Sequence, residues 1–485
     1  MARCQTGQSV HSRWPAPAAV EVAGLLGDWA ANGHGPLARR LAHALRVAIN
    51  AGLLRSGVLL PPERRMATAL AVSRSTVTAA LDELRGDGLV VSRQGHGTRI
   101  IGPGNRALLG ARVGMHYVDT GDGINLAVAN PPDASHLPEL SLTTADLMAW
   151  GSGHGLEPLG LPALREAVAR RHTAAGLMTE AGQVHITSGA HHAIGVTIDA
   201  LVAPGEAVVV DELNYPGLFD LLDHHRARTV GLGSDRGGPD PHALDRLLRA
   251  ERPPVVFLQG GVVNPTGIVI GPARRRALAE VFDRHPSTVV VEDRTLVGLA
   301  FGSPPQPELA TLCRRAPVVT VESISKIALA SLRIGWLRAP VTLTDRLAQS
   351  RITTDLGTSV ASQILTLQLL DRLDDIAATR RATLEAIVRH ASSRLRAELP
   401  DWSFEEPQGS SGLWVRLPIT DSLPYTQVAL RHGVQVAPGH VQVAGGEPSP
   451  FLRICVDRTQ PFVDEGLDRL GRAWDEFAAR PRASA

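Results

Sequence analysis

Apolar residues recur every fourth position in Pro36–Ala51 (Leu37, Leu41, Leu45, Ile49), with arginines between them, which predicts an amphipathic helix stopped by Gly52. Val58-Leu59-Leu60 predicts a short strand, and Pro61-Pro62-Glu63 opens a second helix running to about Ala71. Ser73 is placed to cap a third helix, with Val77, Leu81 and Leu84 on its buried face and Gly86 and Gly88 closing it. Leu89–Arg93 and Thr98–Ile101 alternate as two strands joined through Gln94-Gly95-His96-Gly97, a hairpin. Helix, short strand, helix, tight turn, helix and hairpin make a winged helix-turn-helix over residues 36–101. Residues 1–35 show little period beyond a short helix over Val20–Ala30 and read as a tail.

Gly102–Gly123 has no sustained period and contains Gly and Pro, so it reads as a linker that would span roughly 25 Å as a flexible coil. Within it, Val113, Met115 and Tyr117 alternate like a strand. From residue 124 to about 480, short apolar strands alternate with amphipathic helices, the pattern of an α/β domain. Ala207–Asp211, Val255–Leu258, Thr288–Glu292 and Val318–Val321 predict buried strands of a mostly parallel sheet. Ligands of such sheets sit beyond the carboxyl ends of the strands.

Composition sharpens this picture in two places. The chain has 485 residues and three cysteines, Cys4, Cys313 and Cys455, far apart and without metal-type spacing. That pattern implies a reducing compartment, and with no apolar run near the roughly 20 residues of a membrane span, a cytoplasmic protein. The net charge of +1 hides an asymmetry: residues 36–100 hold ten arginines against four acidic residues, +6, which leaves −5 for the rest. A compact basic segment in a near-neutral chain points to a polyanionic partner. The second place is Lys326. Of 49 basic residues 48 are arginine, and Lys326 is the one lysine. An amine can lose its proton and attack an aldehyde; a guanidinium stays charged.

Leu60-Pro61-Pro62-Glu63-Arg64, Val72-Ser73-Arg74-Ser75-Thr76-Val77 and Gly95-His96-Gly97-Thr98 together resemble the GntR class of DNA-binding domains. The resemblance implies a duplex DNA operator as partner. Arg74, Ser75 and Thr76, beside Ser73 at the start of the third helix, would reach base edges in the major groove; Arg64 and Arg65 suit phosphates. Gln94 and His96 at the glycine-flanked tip would approach the minor groove or a phosphate.

Ser323-Ile324-Ser325-Lys326 followed by Arg333-Ile-Gly335 resembles the cofactor lysine segment of the fold-type I aminotransferases. Gly160-Leu-Pro-Ala-Leu-Arg165, Thr187-Ser188-Gly189-Ala190-His191, Asn214-Tyr215-Pro216, Asn264-Pro265-Thr266-Gly267, Glu292-Asp293 and Phe451-Leu-Arg453 match further segments of that family in order. The resemblance implies pyridoxal 5'-phosphate (PLP) as cofactor, joined to Lys326 as a Schiff base. Ser323, Ser325, Arg333 and the Ser188–His191 helix start would hold its phosphate. Tyr215 would stack on the ring, Asn264 would bond the 3'-oxygen, and Asp293 would pair with the ring nitrogen; Arg453 would grip an effector or substrate carboxylate.

Taken whole, the chain resembles the MocR-type regulators, a winged helix-turn-helix fused to an aminotransferase-like domain. That implies a homodimer sensing PLP, or an amino compound that forms an external aldimine with it. The sequence departs from the family at Leu296 and Leu156, where many members carry tyrosines. These losses argue against efficient transamination while Lys326, Asp293, Asn264, Ser323 and Arg333 remain. The alternatives are a working aminotransferase with a secondary DNA-binding domain, and a scaffold that has lost the cofactor.

Overall fold

The computed structural model describes residues 19–26, 29–30, 35–50, 53–54, 58–93, 97–100, 112–114, 123–150, 156–302 and 306–479. Gln94, His96 and nearly all of the expected linker, with Met115 and Tyr117, lie outside them. The chain divides into two compact units, Met1–Val118 and Asp119–Ala485.

In the first unit the helices are Ala19–Leu26, Leu37–Asn50, Glu63–Ala69 and Arg74–Gly86. Leu41, Leu45 and Ile49 are buried as their spacing predicts, but Leu37, on the first turn, is 46% exposed. They pack with Met66, Val77, Leu81 and Leu84 and with Val22 and Trp29 from the N-terminal segment. Ser73 is extended, and its hydroxyl accepts the Thr76 N–H at 3.1 Å. Ser73→Ala therefore costs about 1 kcal/mol of stability, measurable by urea unfolding. The hairpin Val90–Arg93/Gly97–Ile100 gains a third antiparallel strand, because Leu59–Leu60 pairs with Thr98 and Arg99. Arg46 is held by Glu83 at 2.9 Å and also by Asp87, which joins the second and fourth helices and removes one arginine from the free basic surface.

The second unit is built on a seven-stranded sheet in the order Val184–Thr187, Gly335–Arg338, Val318–Ser323, Val289–Asp293, Val255–Gln259, Ala207–Asp211, Arg228–Leu232. Only Gly335–Arg338 runs antiparallel to its neighbours. Alternate strand residues feed opposite layers, as the strand period of two demands. Val208, Val210, Val255, Phe257, Val289, Val291, Val319 and Val321 pack with the helix Ala190–Leu201. Val209, Val256, Leu258, Val290 and Val318 pack with the helices Pro241–Glu251 and Pro272–Arg284. A smaller antiparallel sheet, Gly412–Arg416, Phe451–Cys455 and Ala437–Pro438, forms a separate core with the helices Leu373–Glu398 and Gln460–Ala478. Ile124 and Leu126 belong to that core, so the first residues after the linker are fixed to it. Among the described residues, no helix is long and apolar enough to cross a membrane.

Candidate functional site

In the first unit Arg64, Arg65, Ser73, Arg74 and Ser75 are exposed and Thr76 is half-buried. Ser73 is committed to the helix cap, with its hydroxyl also 2.8 Å from Ser75 Oγ and 2.7 Å from Thr76 Oγ1. Arg74 projects from the first turn with its Nε 3.3 Å from Glu63 Oε2, an oxygen that also accepts from Thr78 Oγ1 at 2.9 Å. Sequence reasoning missed Glu63 as the group that restrains Arg74; its place in the Pro-Pro-Glu-Arg segment was the available signal.

In the second unit the residues singled out, Arg453 in the small sheet excepted, lie at and beyond the strand ends on one edge of the seven-stranded sheet. Lys326 follows Val318–Ser323 and is half-buried. Its Nζ donates to Ala129 O at 2.7 Å and Asn130 Oδ1 at 2.9 Å. Burial, and next the Arg453 guanidinium, push its ammonium down to about 8. Ser323 and Ser325 are buried and bonded to each other at 2.9 Å, with Ser323 Oγ also donating to Ile334 O. Their hydroxyls brace the turn that carries Lys326. Asp293, at the end of the adjacent strand, accepts from Thr295 N at 2.9 Å and Thr295 Oγ1 at 2.7 Å. Burial raises its carboxyl above the usual range against those bonds, and the Lys326 charge acts to lower it. Behind it Glu292 forms a fully buried pair with Arg275 at 2.6 Å.

Arg333, in the left-handed region at φ 53°, turns back over the start of the helix Ala190–Leu201 and donates to Ser188 O at 2.9 Å. Gly189 has φ 92°, and a Cβ there would come within 2.8 Å of Arg333 Nη2. Gly335 is equally confined, since its Cβ would meet Gly189 C at 2.8 Å and Ala190 N at 2.9 Å. The glycines thus let a guanidinium and the free N–H groups of a helix start converge, an anion cradle. His191 stands edge-on to Tyr215 with ring centroids 5.9 Å apart, and burial followed by Arg333 lowers its pKa.

Asn264 Oδ1, Arg453 Nε, Asp211 Oδ1 and His191 Nδ1 are among the buried polar atoms that have no hydrogen-bond partner among the described residues. Arg453 is 7% exposed, in the small sheet, opposite Trp414. Unsatisfied groups at such burial are costly unless something completes them. An anion cradle, a primary amine, a buried carboxyl and the Asn264 side-chain amide, whose Nδ2 can donate, fit PLP group by group: phosphate, carbonyl carbon, protonated ring nitrogen and 3'-oxygen. Leu296 is half-buried and packs on the core, and Leu156 is 48% exposed, so neither supplies a hydroxyl.

Residues 121–470 match the family of aminotransferases of class I and II, and residues 37–100 match the bacterial regulatory proteins of the gntR family. The chain is 26% identical to the HTH-type transcriptional regulator YdfD of Bacillus subtilis, over 92% of this chain and 98% of that protein. It is 32% identical to the vitamin B6 salvage pathway transcriptional repressor PtsJ of Salmonella typhimurium, over 62% of this chain and 67% of the repressor. Among solved structures, the α-aminoadipate aminotransferase LysN of Thermus thermophilus, complexed with N-(5'-phosphopyridoxyl)-L-leucine, superposes with a TM-score of 0.65 at 25% identity. That match covers 76% of this chain and 97% of the enzyme. A DNA-binding module of one family thus precedes a PLP-type domain of another. The chain belongs to the MocR-type subfamily of GntR transcriptional regulators, whose large domain is of aminotransferase class I and II.

Proposed function

We propose that the protein is a cytoplasmic homodimeric regulator that binds duplex DNA through its winged helix-turn-helix and reads PLP, or an amino compound reacting with it, at Lys326. The observation that carries this reading is Lys326 itself. The one lysine of the chain lies beside Asp293 and Arg453 with its charge destabilised, in the same polypeptide as an exposed Arg64/Arg65/Arg74 surface. PLP bound there supplies an electrophilic carbonyl carbon and an electron-withdrawing ring. Arg333 and the Gly189–Ala190 amides would hold its phosphate, with Ser323 and Ser325 bracing the turn behind. Asp293 would keep the ring nitrogen protonated, Asn264 would meet the 3'-oxygen, Tyr215 would cover a ring face, and Arg453 would take an effector carboxylate.

Lys326 also offers a way to report occupancy. Its amine ties down Ala129 and Asn130, and Arg458 Nη1 donates to Asn130 O at 3.1 Å. This segment follows Ile124–Leu126, the core-bound residues that come after the linker to the DNA-binding unit. A nitrogen committed to the cofactor cannot keep both donors on the segment, so cofactor binding would loosen the hold on Ala129 and Asn130, while Ile124 and Leu126, nearer the linker, stay fixed to the small-sheet core.

Titrating PLP into purified protein tests the reading by absorbance. A band at about 410–430 nm with saturable uptake supports it, and no band with excess PLP sinks it. On the DNA side, Arg64→Ala and Arg65→Ala should each weaken binding to all duplexes alike and lower the salt slope by roughly one. Arg74→Ala should cost about 1–3 kcal/mol and relax the sequence preference instead. Fluorescence anisotropy across a salt series on a selected and a random duplex separates the two behaviours.

A further inference from the structure

The segments bearing Asn264 and Tyr215 are tied to one side chain that belongs to neither motif. Gln259 ends the strand Val255–Gln259 and is 5% exposed. Its Oε1 accepts the Asn264 N–H at 2.7 Å, and its Nε2 donates to Leu213 O at 2.9 Å. Leu213 leads through Asn214, whose Oδ1 accepts the Tyr215 N–H at 2.7 Å. An amide can accept on one atom and donate on the other without bringing charge into a buried site. Gln259 is in turn anchored from the next strand, since its backbone N–H donates to Asp211 Oδ2 at 2.8 Å. Asp211 is 1% exposed, so this bond forms where water cannot replace it.

We propose that Gln259, anchored by Asp211, is a positioning residue: it sets the spacing of the Asn264 and Tyr215 segments and thereby the hydrogen bond Asn264 offers to the cofactor's 3'-oxygen. The inference rests on the reading of this slot as a PLP site. The Gln259 side chain bonds the backbone of Asn264 and Leu213 and also engages the Asp211 carboxyl, so it acts through Asn264 and Tyr215. Its polar partners lie 5 and 46 positions away, and the second separation explains why no local motif reveals it.

The test is a pH titration of the visible band of PLP-loaded protein, a property set at the 3'-oxygen and not by stability alone. Asn264→Ala removes the donor directly. Gln259→Met keeps the length and approximate volume but loses both side-chain bonds. We expect Gln259→Met to move the midpoint in the same direction as Asn264→Ala, by roughly half a pH unit, the equivalent of one ordinary hydrogen bond. Asp211→Asn and Asp211→Ala both remove the like-charge repulsion between Asp211 and Asp293, but only the asparagine keeps an acceptor for Gln259 N–H. The alanine variant should therefore shift beyond the asparagine variant, and this pair decides the matter if Gln259→Met does not fold. Midpoints of Gln259→Met and Asp211→Ala that match wild type and Asp211→Asn respectively, while Asn264→Ala shifts, would overturn the inference. So would an Asn264→Ala midpoint equal to wild type. A wild-type protein without any band is a different result, because it overturns the PLP reading itself.

Discussion

Replacing Lys326 with alanine abolishes the absorbance at about 410–430 nm that wild-type protein acquires with PLP, and leaves the cofactor removable by gel filtration. No other basic side chain can substitute, because the remaining 48 lysine-or-arginine positions are guanidinium groups. The same chemistry fixes the pH dependence. Burial and Arg453 hold the Lys326 ammonium down to about 8, below the roughly 10.4 of an unfolded lysine. Attachment requires the neutral amine, so its rate at pH 8 should be about fivefold that at pH 7 and level off above pH 9. The sign for stability follows from proton uptake. Between the two values the unfolded chain holds the proton and the folded chain does not, so cofactor-free protein gains stability as pH rises from about 8 to about 10.4. A rate flat from pH 7 to 9, or a band retained in Lys326→Ala, would contradict this.

Arg453→Ala weakens amino-acid binding to the PLP-loaded protein by about 2–5 kcal/mol, the loss expected when one member of a buried charge pair is removed. Arg453 is 7% exposed and its Nε has no partner among the described residues, so a carboxylate arriving there completes a group already desolvated. A simple alkylamine, which has no carboxylate to lose, should shift the cofactor spectrum of wild type and Arg453→Ala at equal concentrations. The substitution also removes the second cause of the depressed Lys326 value, so the attachment profile should move to higher pH. Equal losses for amine and amino acid would show that Arg453 acts only on the local packing.

Much of this site was legible because its groups sit in short motifs at strand ends. Lys326 stands out by chemistry alone, Ser73 by its position before an apolar-periodic helix, and Asp293 by ending a run of valines. The strands Val184–Thr187, Arg228–Leu232 and Gly335–Arg338 escaped notice because polar or glycine residues (His185, Arg228, Thr229, Gly231, Gly335, Arg338) break the apolar run that marked the predicted strands. Pairing of Leu59–Leu60 with the hairpin is likewise a nonlocal choice that two residues cannot announce. The hold of Ala129 and Asn130 on Lys326 spans nearly 200 positions, and that of Gln259 on Leu213 spans 46. Periodicity reports which face of an element is buried; it carries no information about which distant backbone group completes a hydrogen bond. The left-handed Arg333, which brings a guanidinium over Gly189, is a tertiary feature of the same kind.

The central claim, that occupancy of Lys326 governs DNA binding, is tested most directly by measuring duplex affinity with and without PLP in wild type and in Lys326→Ala. The duplex is one recovered by in vitro selection with wild-type protein, and the readout is anisotropy at fixed salt. Wild-type affinity is expected to change at least about fivefold on PLP loading, the lower end of ordinary coupling between sites, and Lys326→Ala is expected not to respond. An affinity in wild type that is the same with and without PLP, or an equal response in Lys326→Ala, would contradict it.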